Sequence, residues 1–341
     1  MPRSRHDRPE ILVLGDLNAD IIGRVKSWPQ PGQECLAERL ELHCGGVGAN
    51  CALALRRWGV SVRLLGCVGE DDFGTFLLRT LAAERVNVRG VRRTGRALTG
   101  MLYINVTPDG QRTFFGSRGA NRLVDRLRQS ESRFLERVRA ASLMGYSFLD
   151  RDGELAAQQI IGTVRRNNGW VSLDAGMEPS NKIPGKILRV ARSVDLFFLS
   201  DEEATTLTGF HQPHEAFDSL LRLKIPKVVM KLGRRGCLIV DGGKVRQVPP
   251  FSVRAVDSTG AGDAFNAAFL HGQLRGWHVT ESALAASAAG AAAAGVLGAG
   301  ERSPTLQQIL RVLRSEQLNK PWDAIRLRVL RHLIRGNEAG R

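Results

Sequence analysis

The sequence lacks the short motifs that identify several large enzyme classes. It contains no GxxxxGK[ST] loop, and the loop after its first apolar strand, GDLNAD, lacks the GxGxxG pattern. A P-loop enzyme and a dinucleotide-binding fold are therefore excluded, and the GxSxG motif is missing as well. Any nucleotide must therefore be bound by a different motif.

Cysteine and a hydrophobic leader are also scarce or missing. The five cysteines are an odd number without CxxC spacing, which favours reduced core thiols over disulfides or a zinc site. The polar residues 1–10 lead straight into the strand-like ILVLG (11–15), so a cytoplasmic protein is expected. Residues 282–300 are uncharged but rich in Ala and Gly, which predicts a closely packed helix and no membrane span.

Aromatic residues make up only 6% of the chain, although the net charge is +15. Clustered cations favour nucleic acid, but the basic runs at 85–96 and 326–336 carry few aromatics on which bases could stack. A solvated basic surface is the preferred interpretation. A positive field still favours anionic substrates such as nucleotides.

The apolar and helical patterns indicate a doubly wound α/β domain. A chain of 341 residues is long enough for one large domain with a smaller appendage. Helix-like stretches separate the apolar strand candidates, which predicts a mainly parallel sheet covered by helices on both faces. The strand candidates are 11–15, 62–69, 141–147, 170–175, 194–200 and 227–233, and the helix candidates are about 46–58, 72–84, 152–167, 183–191, 201–208 and 213–223.

Two segments break this alternation. Residues 19–42 and 99–116 read as short strands joined by turns, the second through Pro108-Asp109-Gly110. They predict a small β-sheet over the main sheet, which serves as a lid or a dimer surface. The basic tail, 315–341, is expected to form one more amphipathic helix after Pro321.

The stretch DSTGAGDAFNAAFLHG (257–272) combines two chemical features. A turn of small residues, Gly260 to Gly262, opens a helix, so backbone N–H groups point outward and form an anion hole. Asp263 follows directly and is placed to act as a general base. An anion hole and a base are the two elements needed to move a phosphoryl group onto a hydroxyl.

Three other motifs each have a structural alternative. Asn18 and Asp20 of GDLNAD suit a polyhydroxylated ligand, but such residues also dominate turns. CGGVGAN (44–50) lets a ligand approach the backbone and places Asn50 in the first helical turn, or is a plain tight turn. Ser200 and Glu203 of LSDEEATTLTG form a capping box, and Glu203 also suits a magnesium–water cluster.

Together these motifs resemble the ribokinase family of carbohydrate kinases, also called the PfkB family, over about residues 10–314. The resemblance implies ATP-dependent phosphorylation of a sugar or nucleoside hydroxyl beneath a β lid, with Asp263 as the base. It further implies four binding sets. These are Gly260, Ala261 and Gly262 for the anion hole; Asn18, Asp20, Gly46 and Asn50 for the sugar; and Gly233 and Gly236 for the nucleotide, with Asp257 and Thr259 for a monovalent cation such as K⁺.

Two departures from the family limit this transfer. The family's N-x-x-E motif is Ser200-x-x-Glu203 here, which keeps a carboxylate for Mg²⁺ and nucleotide binding but replaces the amide. Val47 stands where ribokinases usually carry Lys, which weakens ribose as the substrate. Arg118 in SRGAN could reach an acidic sugar such as 2-keto-3-deoxygluconate, or is simply solvated.

The leading hypothesis is a cytoplasmic, dimeric sugar kinase that uses ATP and Mg²⁺. A nucleoside kinase is the alternative within the same enzyme class. A non-catalytic sugar-sensing or nucleic-acid-binding protein on the same fold is the alternative from another class, and the intact Asp263 argues against it.

Overall fold

The computed structural model describes residues 10–108, 112–127, 135, 138–296 and 298–338. Strand formation follows the apolar runs of the sequence, because residues such as those of ILVL are buried on both faces. The strands within the described residues are β1 (Ile11–Leu14), β2 (Asn18–Arg24), β3 (Leu40–Gly45), β4 (Val62–Gly69), β5 (Asn87–Thr94), β6 (Gly100–Val106), β7 (Arg112–Ser117), β8 (Ala140–Met144), β9 (Trp170–Asp174), β10 (Leu196–Ser200), β11 (Val228–Lys231), β12 (Cys237–Asp241) and β13 (Lys244–Val248).

The helices follow the amphipathic stretches between the strands. Those within the described residues are α1 (Val47–Arg57), α2 (Asp72–Ala83), α3 (Arg151–Arg166), α4 (Met177–Lys182), α5 (Pro184–Ala191), α6 (Asp201–Thr208), α7 (Pro213–Arg222), α8 (Ala261–Leu274), α9 (Val279–Ala294), α10 (Leu306–Ser315) and α11 (Trp322–Glu338). The predicted helix at 183–191 corresponds to α5, and the short helix α4 precedes it. No helix among the described residues is long and apolar enough to cross a membrane, and α9 lies buried in the core.

In the described part of the chain, nine strands form one sheet in the order β13-β12-β11-β10-β9-β8-β1-β4-β5. The pairs from β5 to β11 are parallel, and β12 and β13 add an antiparallel edge. Ile11 and Val13 face one hydrophobic core, whereas Leu12 and Leu14 face a second core on the other side. The predicted doubly wound sheet with helices on both faces is confirmed.

The predicted small sheet is also confirmed. Its strands lie in the order β3-β2-β6-β7 and are separate from the main sheet. Alternation along β2 directs Asp20 and Ile22 to one face and Ile21 to the other. Asp109 and Gly110 of the predicted turn lie outside the described residues.

The sheet order determines where a ligand site can form. The chain adds β4 and β5 on one side of β1 and then returns to add β8 on the other side, so the order of strand addition reverses between β1 and β8. Ligands in such sheets bind beyond the carboxyl ends of the strands at this reversal. The loop after β1 and the ends of β9, β10 and β11 all lie along this edge of the sheet.

Candidate active site

The N-terminus of α8 is an open turn of small residues. Gly260 adopts a left-handed φ of 72°, and a methyl group there would lie 2.5 Å from the Cβ of Ala299, so only glycine fits this turn. No side chain in the described part of the chain caps the helix. Within the described residues, the backbone N–H groups of Gly262 and Asp263 form no hydrogen bond to protein, so they are free to bind an anion.

Asp263, in the first turn of α8, is held by Asn50 from α1. The Nδ2 of Asn50 donates to the Oδ2 of Asp263 at 2.8 Å. Burial raises the pKa of Asp263 to about 7, against the lowering effect of this hydrogen bond, and the nearby Asp174 raises it further. A carboxylate with a pKa near neutrality is suited to accept a proton from a hydroxyl.

Sequence reasoning missed two charged residues that act on Asp263, Lys231 and Asp174. Lys231 ends β11, Asp174 ends β9, and their Nζ and Oδ1 atoms are 3.0 Å apart. A methyl group on Gly262 would lie 3.6 Å from the Nζ of Lys231, which places the amine at the start of α8. A charged residue closing a buried parallel strand was the signal that could have identified both.

Ser200 and Glu203 form the predicted capping box at the start of α6. Glu203 N donates to the Oγ of Ser200 at 3.1 Å, and Ser200 N donates to the Oε2 of Glu203 at 2.8 Å. The cap leaves the other carboxylate oxygen of Glu203 without a hydrogen bond among the described residues. Burial raises the pKa of Glu203 to about 7, opposed by Lys231 and reinforced by Asp174.

A cleft of about 730 Å³ opens at the start of α8. Lys231, Ala261 and Gly262 line it at one end, and Gly233 and Gly236 line it beyond β11. Gly236 has a φ of 85°, and a methyl group there would lie 1.9 Å from the carbonyl oxygen of Val248. The predicted nucleotide loop and anion hole thus border one cleft.

Asp20 and Asn50 are the two candidate sugar-binding residues with unsatisfied atoms. The Oδ1 atoms of Asp20 and Asn50 are buried and have no hydrogen-bond partner among the residues that the structure describes. Burial raises the pKa of Asp20 to about 7; His43 lowers it, and Asp263 and Glu301 raise it. Buried polar atoms are normally paired, so both atoms are suited to bind ligand hydroxyls.

The other two members of the predicted sugar-binding set are engaged within the protein. The Oδ1 of Asn18 accepts from the Nδ2 of Asn121 at 2.8 Å. Gly46 precedes α1 with a φ of 88°, and a methyl group there would lie 2.5 Å from the carbonyl oxygen of Asp16. Gly46 therefore permits the close approach of two chain segments that positions Asn50.

The lid is tied to the body by His43, the register partner of Asp20. The Nδ1 of His43 lies 3.0 Å from the Oε1 of Glu301, and its Nε2 lies 3.2 Å from the Oε2 of Glu41. The Oε2 of Glu301 also accepts from the backbone of Cys44. These contacts hold the face of the lid that carries Asp20 toward Asp263.

Arg118 forms ion pairs with two carboxylates. Its Nε and Nη2 donate to both oxygens of Asp16, at 2.8 and 3.0 Å, and its Nη1 pairs with Asp150. Nη2 also donates to the carbonyl oxygen of Tyr146 at 3.0 Å. The side chain of Arg118 is only 20% exposed and is held by these partners, and binding of an acidic sugar by it stays a prediction.

Asp257 and Thr259 lie in the loop before α8. The Oδ1 of Asp257 accepts from the N and Oγ1 of Thr259 at 2.9 and 2.7 Å, and its Oδ2 accepts from the N of Gly298 at 2.8 Å. Asp257 also lines the cleft. The two residues predicted to hold a monovalent cation are therefore adjacent in space.

Comparison with known proteins identifies the family. Residues 8–306 match the model of the pfkB family carbohydrate kinases. The chain belongs to this family. It is 28% identical to a ribokinase of Haemophilus influenzae, covering 90% of this chain and 99% of that one. It is 30% identical to an ATP-dependent ribose-1-phosphate kinase of Halopiger xanaduensis, covering 89% and 97%.

Solved structures agree with the pfkB assignment. The structure of Arabidopsis thaliana ribokinase in complex with ribose and ATP is similar, with a TM-score of 0.78, 27% identity and coverage of 90% of this chain and 99% of that one. The apo structure of a ribokinase II from E. coli has a TM-score of 0.80 at 23% identity, with coverage of 90% and 100%, and supports the fold. The prediction of an ATP-dependent sugar kinase is confirmed by this family membership and by these relatives.

Proposed function

We propose that ATP binds in the cleft with its γ-phosphate at the N-terminus of α8, and that a neutral monosaccharide binds between Asp263 and the lid. The observation that carries this proposal is the open N-terminus of α8 directly beside Asp263, whose raised pKa suits a general base. The Arabidopsis thaliana ribokinase structure, which contains ribose and ATP, supports the pairing of these two substrates.

In the proposed reaction, a sugar hydroxyl oxygen attacks the γ-phosphorus while Asp263 accepts the hydroxyl proton. The bond from the γ-phosphorus to the β,γ-bridging oxygen breaks, and ADP leaves. The free N–H groups of Gly262 and Asp263 donate to the phosphoryl oxygens as charge develops on them. Asn50 keeps the carboxylate of Asp263 oriented through the 2.8 Å hydrogen bond.

The charges around the sugar site favour a neutral substrate over an acidic one. Asp20 and Asp263 supply negative charge, Glu301 is paired with His43, and the guanidinium of Arg118 is paired with Asp16 and Asp150. A substrate carboxylate would gain little from an arginine already neutralised by two carboxylates. We therefore expect a pentose or hexose, in line with relatives named ribokinase and fructokinase.

A panel assay tests this function. ADP release is measured with ribose, fructose and other neutral sugars, with 2-keto-3-deoxygluconate, and with nucleosides. We expect the highest kcat/KM for a neutral sugar. The highest kcat/KM for a nucleoside or for the keto-acid sugar would overturn the proposed substrate class.

The acidic residues near the cleft fit a magnesium ion held mostly by water and phosphates. Asp174, Glu203 and Asp263 interact electrostatically with one another, and Lys231 offsets only one of their charges. Among the described residues no cluster of three or more His, Cys, Asp or Glu side chains is arranged to hold a metal directly. Mg²⁺ prefers one or two carboxylates with waters and phosphates, and when bound it would neutralise phosphate charge.

Glu203→Gln is expected to raise the Mg²⁺ concentration for half-maximal rate by about 10-fold or more, because residues that orient a metal through water set its affinity. The measurement is the initial rate over a Mg²⁺ titration at saturating ATP. Glu202→Gln, an exposed neighbour on the same helix, is the matched control. A Glu203 variant with a lower melting temperature and an unchanged Mg²⁺ dependence would leave the residue a purely structural cap.

We also propose that Asp257 and Thr259 bind a monovalent cation beside the cleft. Their oxygens are adjacent, and their loop leads directly into the anion-binding turn, so a cation there would stabilise that turn. Rates compared in KCl and in choline chloride test this proposal, and equal rates in the two salts contradict it.

We propose that the outer face of the lid joins two copies of the chain. Cross-strand register aligns Leu42, Ile21, Tyr103 and Phe115 on this face. Leu42 and Phe115 are 40% and 53% exposed, and Phe115 contacts the ring of Trp28 at 5.4 Å between centroids. A hydrophobic row of this kind is typical of a subunit interface.

Phe115→Asp is therefore expected to convert a dimer into a monomer in sedimentation analysis at micromolar concentration. The physical reason is that a buried, unpaired carboxylate would face its own symmetry copy. Phe210→Asp, which changes an exposed aromatic outside the lid, serves as the matched control and should stay dimeric. A wild-type protein that sediments as a monomer would contradict the proposal.

A further inference from the structure

Lys231 lies beside the proposed reaction centre, but the proposed reaction assigns it no role. It is the register partner of Ser200 at the carboxyl end of the parallel pair β10–β11, and it lines the cleft. Its Nζ would lie 3.6 Å from a methyl group on Gly262, so the amine stands beside the free N–H groups of α8. A phosphoryl group bound to those N–H groups would be within reach of this amine.

The amine is charged and only partly used by the protein. Burial lowers the pKa of Lys231, but Asp174 and Glu203 together raise it above its ordinary value. An ammonium group has three N–H donors, and one of them meets the Oδ1 of Asp174 at 3.0 Å. The described residues leave the other two donors unpaired, so these are available to a ligand in the cleft.

Stability alone gives a weak reason for this buried pair. Replacement of a buried ion pair by apolar residues of similar volume is often neutral or stabilising, because two charges must be taken out of water. Lys231 itself lines the cleft, where a ligand phosphate would supply a second partner for the amine. A bound phosphate that interacts with the positive charge of Lys231 explains the position of this residue better than a contribution to fold stability does.

We propose that the Nζ of Lys231 binds the phosphoryl group during its transfer, and that Asp174 is a positioning residue that holds this amine. The inference rests on the proposed function and adds one catalytic residue to it. Lys231 donates to a non-bridging oxygen of the γ-phosphoryl group while the sugar oxygen–phosphorus bond forms and the bond to ADP breaks. The proton of the sugar hydroxyl still goes to Asp263, so Lys231 stays protonated throughout.

The first test compares Lys231→Gln with Lys231→Arg. The glutamine variant is expected to lower kcat by about 10²-fold or more, the scale for loss of one donor to a developing charge, with the KM for the sugar nearly unchanged. The arginine variant keeps the positive charge and should recover at least tenfold of that loss. Lys186→Gln is the matched control, because Lys186 also forms a lysine–carboxylate pair, with Glu154 at 2.7 Å, but away from the cleft.

The second test uses pH to establish that both members of the pair lie close enough to Asp263 to change its pKa. Asn50, Asp20, Asp174, Glu203 and Lys231 are the polar groups that act on Asp263. Lys231 lowers the pKa of Asp263 and Asp174 raises it. The acidic limb of kcat/KM should therefore move to higher pH in Lys231→Gln and to lower pH in Asp174→Asn.

A third measurement does not depend on whether the variants fold. In a crystal structure of the wild-type protein with the ATP analogue AMP-PNP and Mg²⁺, Nζ should lie within hydrogen-bond distance of a γ-phosphoryl oxygen, about 3.2 Å or less. Separation by more than a hydrogen bond would overturn the inference. So would a folded Lys231→Gln variant that keeps near-normal kcat. If the wild-type protein phosphorylates nothing in the sugar panel, the proposed function fails instead.

Discussion

Asp263→Asn is expected to lower kcat by about 10²-fold or more, because an amide cannot accept the proton of the attacking hydroxyl. The KM for ATP should change little. The N–H groups of Gly262 and Asp263 that we propose bind the phosphates belong to the backbone and remain in the variant. The measurement is steady-state kinetics with the best sugar of the panel.

The pH dependence of the wild-type protein should report the same group. Burial raises the pKa of Asp263 to about 7, and the base works only when it is deprotonated. We therefore expect kcat/KM to fall as the pH decreases through about 7, and to level off above it. A limb near the ordinary pKa of an aspartate, about 4, would contradict the assignment.

Asp195→Asn is the matched control for the Asp263 variant. The Oδ2 of Asp195 accepts from the N of Val171 at 2.8 Å, near the amino ends of the strands and away from the cleft. This variant should keep a normal kcat. Near-normal turnover in the Asp263 variant itself would require a different base.

Asp20→Ala is expected to raise the KM for the sugar roughly 10- to 100-fold with little change in the KM for ATP. The Oδ1 of Asp20 is buried and has no partner within the described residues, so a ligand hydroxyl is expected to satisfy it. Loss of a hydrogen bond to a charged group costs about 1.5–3 kcal/mol, which corresponds to this range by RT ln K. Initial rates over a sugar titration provide the measurement.

The contacts around Asp20 supply a control for this second prediction. His43, the register partner of Asp20, pairs with Glu301 and so ties the lid to the body. A substitution that changes the sugar KM only by loosening the lid would therefore act through the contact between His43 and Glu301. Asp20→Asn keeps the shape and should raise the sugar KM less than Asp20→Ala does. Unchanged sugar kinetics in both variants would remove Asp20 from the sugar site.

Local sequence was sufficient for much of the fold. Apolar runs such as ILVL and the helical stretches between them predict the parallel sheet, because burial and periodicity act over a few residues. The edges were missed. β5 reads as a basic run because an edge strand is only half buried, and the hairpin of β12 and β13 was not predicted.

The features of the candidate site also divide into local ones, which the sequence predicts, and long-range contacts, which it does not. The glycines before Asp263 predict the open turn of α8, because a left-handed φ and free N–H groups are local properties. The capping box of Ser200 and Glu203 is local as well. The sequence also identified Asp20 and Asn50 as candidates, but it could not indicate which of their atoms remain unpaired.

The sequence by itself therefore determined the sheet, the anion-binding turn and the candidate base of this protein. Only the tertiary structure decided what surrounds that base. Asn50 and Asp263 are 213 residues apart along the chain, and Asp174 and Lys231 are 57 apart. Such pairs depend on how helices and strands pack against one another. The raised pKa of Asp263 follows from the same packing, because burial and neighbouring charges arise only once distant segments meet.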